Sequence, residues 1–186
     1  DKTLTDRATA HPTDYSVQQA YVQRLVQQGE HQQSVAWTHK LLNLPAGTWT
    51  AYQEDWLRGH IISTLQASNN NDKVLAALVE WVTARPKSVN AAQRYVAALA
   101  GAAQYEVLAE FARSRLPVLR ATERDPFAQN VVNTLINASR LELAGRVLTD
   151  WIALHPAPLT PYQQHLYMLS HPREDARLAP LLKGWL

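Results

Sequence analysis

Seven histidines and sixteen acidic residues are the side chains of this sequence that could hold a metal ion or move a proton, and their spacing argues against both roles. His11 and His155 each precede a proline at the end of a repeated motif, which marks them as structural. His31, His39, His60, His165 and His171 form no HExxH or other ligand spacing. Cysteine is absent, so disulfides, thiol nucleophiles and thiolate metal sites are excluded, and either redox compartment is allowed. There is no GxSxG elbow, no Gly-rich phosphate loop and no pair of carboxylates at a turn. Glu54 with Asp55 and Glu174 with Asp175 are expected on polar surface as solvated charge. The sequence therefore predicts no catalytic residue, no cofactor and no metal, and a chain that is not itself an enzyme. Asn137-Ala138-Ser139 has the form of an N-glycosylation sequon in a turn, which matters only in a eukaryotic secretory setting.

The elements that would position any site are helical. With 186 residues, 46% of them hydrophobic, the chain can bury a substantial core. Lys and Arg exceed Asp and Glu by 18 to 16 with no basic run, so nucleic acid is not an expected partner. No apolar stretch approaches the roughly 20 residues that span a bilayer, so membrane insertion is not expected either. Helical periodicity runs almost throughout, broken at Pro, Asn and Gly. Helices are predicted from about Thr13 to Gln28 (Val17, Ala20, Tyr21 and Leu25 inward), His31 to Asn43, Thr50 to Ser68, then on to Ala84, and from Ser88 to Gly101. Further helices carry Val107, Leu108 and Phe111, then Phe127 to Leu135 with Asp125-Pro126 at the start, then Val147 to Ile152. A last full helix opens at Thr160-Pro161.

The helices repeat. LVEWVTARP, Leu78 to Pro86, aligns without a gap on LTDWIALHP, Leu148 to Pro156, 70 positions later, and the register extends back to Leu65 and Leu135. LTDRATAHP, Leu4 to Pro12, matches the second copy at Leu, Thr, Asp, His and Pro, with Arg7 in place of Trp. The chain thus reads as opening on the tail of a second helix. It also lacks an initial Met, and is expected to be a fragment with further repeats of its own chain on the N-terminal side. Trp81 and Trp151 are expected in matching core slots between units.

Two-helix units of about 35 residues with a closing Pro resemble tetratricopeptide repeats. Gly29 and Ser34 fit that pattern in the first unit, Trp81 and Pro86 in the second, and Ala144, Trp151 and Pro156 in the fourth. Asn69 stands where the pattern has Gly, Val74 where it has Ala, and the third unit has no clear register. The resemblance implies an all-α, right-handed solenoid of antiparallel helix pairs with four to five repeats. The tail of a truncated repeat occupies 1–12, repeats fall at 13–47, 48–87, 88–124 and 125–158, and capping helices at 159–186. It also implies that the first helix of each unit lines a concave face through its fifth, ninth and thirteenth places. Those places hold Gln19, Gln23 and Gln27 in the first unit, Gly59, Ser63 and Ala67 in the second, Gln93, Ala97 and Gly101 in the third, and Gln129, Asn133 and Asn137 in the fourth.

Amides donate and accept hydrogen bonds, so such a face suits a protein surface, an extended peptide or a glycan. The expected function is a protein-interaction or scaffold module, placed by the resemblance in a bacterial envelope, with the periplasm favoured over the cytoplasm. The alternative is a helical accessory domain of an enzyme whose catalytic part lies outside this chain.

Overall fold

A computed structural model of the chain describes residues 2–154. The closing Pro156, the histidines at 155, 165 and 171, the Thr160 helix and the capping segment lie outside the described residues. Within them are nine α-helices and no strand: α1 Lys2–Ala10, α2 Tyr15–Gln27, α3 His31–Leu42, α4 Ala51–Ala67, α5 Asn71–Ala84, α6 Val89–Gly101, α7 Tyr105–Arg115, α8 Ala121–Asn137 and α9 Leu141–Leu154. They fall into two compact units, one ending at Arg85 and one beginning at Pro86.

Helix starts and reversals follow from local chemistry. Asp14 accepts the backbone N–H groups of Ser16 and Val17, Thr50 and Gln53 form a reciprocal capping box, and Ser88 accepts the N–H of Ala91. α3, α5 and α7, the second helices of the first three pairs, have no side-chain cap of this kind, because each leaves directly from a closed turn. Four reversals share one geometry. Gly29, Asn69, Ala103 and Ser139 have φ of 80, 56, 55 and 58°. In each, that residue's N–H bonds the carbonyl three back, and the next N–H bonds the carbonyl five back, as in Glu30 to Leu25, Asn70 to Leu65, Gln104 to Leu99 and Arg140 to Leu135. The reversal of the third pair turns on Ala103, and Gly101 is simply the last residue of α6.

In the first unit, Ala8 of α1 packs with Val17, Tyr21 and Leu25 of α2, and Val22 packs with Leu41 and Leu57, flanked by Trp37, Trp49 and Trp56. Ala20, expected inward, is exposed. In the second unit α8 buries Phe127, Val131, Val132 and Leu135 against α9, which buries Val147, Leu148 and Trp151. α8 begins at Ala121 and not at Asp125, so Pro126 lies inside the helix. Pro126 cannot donate to Thr122, but both residues are exposed and water can serve that carbonyl. Arg124 holds the approach by donating to the carbonyls of Leu116 and Leu119.

The 70-residue register reaches the helix boundaries: α4 and α8 start 70 positions apart and are each 17 residues long, and α5 and α9 also start 70 apart. It also carries a paired interaction. Trp81 is fully buried and its indole N–H donates to Asp55 Oδ1 at 2.9 Å. Trp151 is likewise buried and donates to Asp125 Oδ1 at 2.7 Å. Asp55 is therefore not the solvated charge the sequence suggests. It also meets Arg85 Nε at 3.4 Å, while Glu54 pairs with Arg58 and Arg85.

Two stability predictions follow from this architecture. Ala103→Gly relieves a left-handed alanine worth about 1–2 kcal/mol and gives back part of it as unfolded-chain entropy, so urea unfolding should show a gain of about 0.5–1 kcal/mol. Trp151→Ala should cost about 3–5 kcal/mol and Asp125→Ala about 1.5–3 kcal/mol. In a Trp151→Phe background the Asp125 substitution should lose most of its effect; additive costs in that double-mutant cycle would remove the indole–carboxylate bond as the cause.

Candidate functional site

The amide faces arise because each first helix spends one stripe on the core and leaves the opposite stripe to solvent. On α8 the inward residues are Phe127, Ala128, Val131, Val132 and Leu135. Across from them Pro126, Gln129, Asn130, Asn133, Thr134 and Asn137 line an open recess of about 450 Å³. Gln129, Asn133 and Asn137 are exposed, and the structure brings all three to this one recess. The lining contains no formal charge. Thr134 donates its hydroxyl to the Asn130 carbonyl at 2.8 Å, and the remaining polar side chains of the lining are amides. Asn130 and Thr134 were not singled out by sequence; their signal is their place one residue after Gln129 and Asn133 on the same helix.

On α2, Gln19 is half-buried and Gln23 and Gln27 are exposed along one face. Their neighbour Gln18 does different work. It is wholly buried, its Nε2 donates to the carbonyls of Ala8 at 2.7 Å and His11 at 2.9 Å, and its Oε1 accepts the Trp37 indole N–H at 2.7 Å. One amide thus ties α1, α2 and α3 together while Gln23 and Gln27 of the same helix are exposed.

The faces of α4 and α6 are thinner. Ser63 is exposed but donates its hydroxyl to the Gly59 carbonyl at 3.1 Å. Gly59, assigned to the groove by the resemblance, is instead buried, with room for a Cβ only 3.3 Å from the Trp81 indole. Gln93 and Ala97 are exposed on α6.

A serine and a histidine do meet in the first unit: Ser34 Oγ lies 2.8 Å from His60 Nε2. The pair is not arranged for nucleophilic attack. Ser34 is completely buried and donates its proton to the Val22 carbonyl, so its oxygen is neither activated nor presented. Beside it Trp56 stacks on His60 at 5.1 Å, and Tyr15 meets Trp49 and Trp56 edge-on at 6.0 and 5.8 Å. Among the described residues no three His, Asp or Glu side chains converge on a common point, and no helix is long and apolar enough to cross a membrane.

No protein-family model matches the chain, and no curated protein matches it. Solved structures do. A MamA double mutant, a tetratricopeptide-repeat protein, superposes with a TM-score of 0.50 over 84% of this chain and 83% of its own, at 17% identity. YrrB, described as a TPR protein with an unusual peptide-binding site, covers 87% of this chain and 97% of its own at 16% identity, with a TM-score of 0.37. The fold is an all-α, tetratricopeptide-like array of helix pairs.

The contrast between the buried and the exposed amides of α2 is measurable. Gln18→Ala strands the Trp37 N–H and two carbonyls and should cost at least about 2 kcal/mol in thermal or denaturant unfolding. Gln23→Ala, on the open face, should stay within about 0.5 kcal/mol of the parent.

Proposed function

We propose that the chain is a non-catalytic interaction module that holds an extended segment of a partner protein on the outward face of α8, with the amide face of α2 a second surface of the same kind within the other compact unit. The observation that carries this reading is the charge-free amide recess of α8, backed by the amide ladder of α2. Amides four residues apart recur about every 6 Å along a helix. Alternate residues of an extended peptide recur about every 6.6 Å, so successive side-chain amides stay within reach of successive backbone amide groups of such a ligand. A glycan is the weaker candidate, because the recess of α8 has no aromatic ring on which a sugar could stack. Ser63 of α4 and Gln93 of α6 offer exposed polar positions of the same kind, each within its own unit. A bacterial envelope location, the periplasm in particular, remains part of the proposal on the strength of the resemblance alone.

Peptides selected from a displayed library against the intact chain supply the test. Each amide hydrogen bond lost is worth about 0.5–1.5 kcal/mol, so Gln129→Ala combined with Asn137→Ala should weaken a peptide selected on the α8 recess roughly tenfold, with the melting temperature almost unmoved. The affinity should also change little between low and high salt, because the recess offers no ion pair to screen. Unchanged affinity in the double variant would remove this face as the binding surface.

A further inference from the structure

The contact between α3 and α4 is pinned by a histidine set among uncharged groups. His60 sits inside α4 with Nε2 2.8 Å from Ser34 Oγ of α3 and 3.4 Å from Thr64 Oγ1 on its own helix. Its ring stacks on Trp56 at an interplanar angle of 13°. Because Ser34 gives its proton to the Val22 carbonyl, its oxygen is left to accept, which assigns His60 the neutral tautomer with hydrogen on Nε2. A second proton must therefore enter at Nδ1.

The charges nearby are turned elsewhere. On α4, Arg58 pairs with Glu54 of its own helix, Glu54 and Asp55 meet Arg85, and Asp55 accepts the Trp81 indole N–H on the α5 side. On α5, Asp72, Lys73 and Glu80 are exposed. On α2, Arg24 is exposed, and Tyr15 reaches Trp56 and not His60. On α3, His39 is exposed, Lys40 stands over the Trp37 ring, and His31 lies one turn before Ser34 with Nδ1 buried and unbonded. No carboxylate is bonded to His60. The indole face returns something to an imidazolium by cation–π attraction, but hydroxyls and an indole do not replace the water lost.

We propose that His60 makes the α3–α4 contact acid-sensitive: a proton at Nδ1 places an uncompensated charge between the first helix pair and the helix that follows it, and loosens that contact. Burial holds His60 below the ordinary histidine value, which is the direction this geometry demands. The sign follows. The unfolded chain takes up the proton first, near pH 6.5, so the contribution is complete above that value and is lost as pH falls through the lower folded-state value. The position 70 residues later is Asn130, which does not titrate, so the second unit contains an internal reference.

Amide hydrogen exchange of the intact chain at pH 7.5 and pH 5.5, corrected for intrinsic rates, tests this. Amides of α3 and of α4 around His60 should open severalfold more at the lower pH, with a ceiling of about tenfold per pH unit for one group, while α8 and α9 should hold. His60→Gln, whose amide can still donate to Ser34, should abolish the difference, and His31→Gln should leave it intact. Equal protection at both pH values, a difference that survives His60→Gln, or one that disappears in His31→Gln would each overturn the proposal. Should His60→Gln fail to fold, an NMR titration of the unaltered chain decides: a His60 ring that titrates at or above the ordinary value is incompatible with it.

Discussion

An indole packed out of reach of water still carries an N–H, and a buried donor without an acceptor costs on the order of 1–3 kcal/mol. Trp81 and Trp151 meet that demand with a carboxylate on the preceding helix, Asp55 and Asp125, both 26 residues upstream. The requirement does more than satisfy a donor. Turning Asp55 toward α5 fixes the rotation of α4, so that Leu57, Ile61, Ile62 and Leu65 face inward. Turning Asp125 toward α9 does the same for α8, which leaves Gln129, Asn133 and Asn137 on the outside. The outward amide face of α8 is thus set by where Trp151 finds an acceptor.

Half of that latch was legible in the sequence. Tryptophan is scarce and large, and two copies at one spacing in matched contexts stand out. Aspartate is neither scarce nor large, and beside Glu54 it has the look of solvated charge. Only the shared 70-residue offset of Asp55 and Asp125 separates them from the other carboxylates, and that signal has meaning once the indole N–H is recognised as needing a partner.

The amide faces show the same limit from another side. Gln129, Asn133 and Asn137 could be placed on one face because their spacing of four matches a helix turn. Gln18 and Gln19, by contrast, are the same letter on adjacent positions, about 100° apart around the axis, yet Gln18 is wholly buried in a hydrogen-bond network and Gln19 is only half-buried. Choosing between them requires knowing how the apolar stripe is rotated, and Ala20, counted inward, points outward. The start of α8 eluded the sequence for a related reason: Pro126 favours a first-turn position, but an exposed carbonyl at Thr122 and the Arg124 contacts make an interior position affordable.

Four chain reversals with one backbone shape and four different residues bear on how such a protein changes over generations. A position that asks only for a positive torsion accepts glycine or asparagine easily, and alanine or serine at a toll that neighbouring helices absorb. Substitutions can therefore accumulate there without tilting a helix axis. The repeat in this chain is carried by dihedral angles and two indole slots as well as by matching letters.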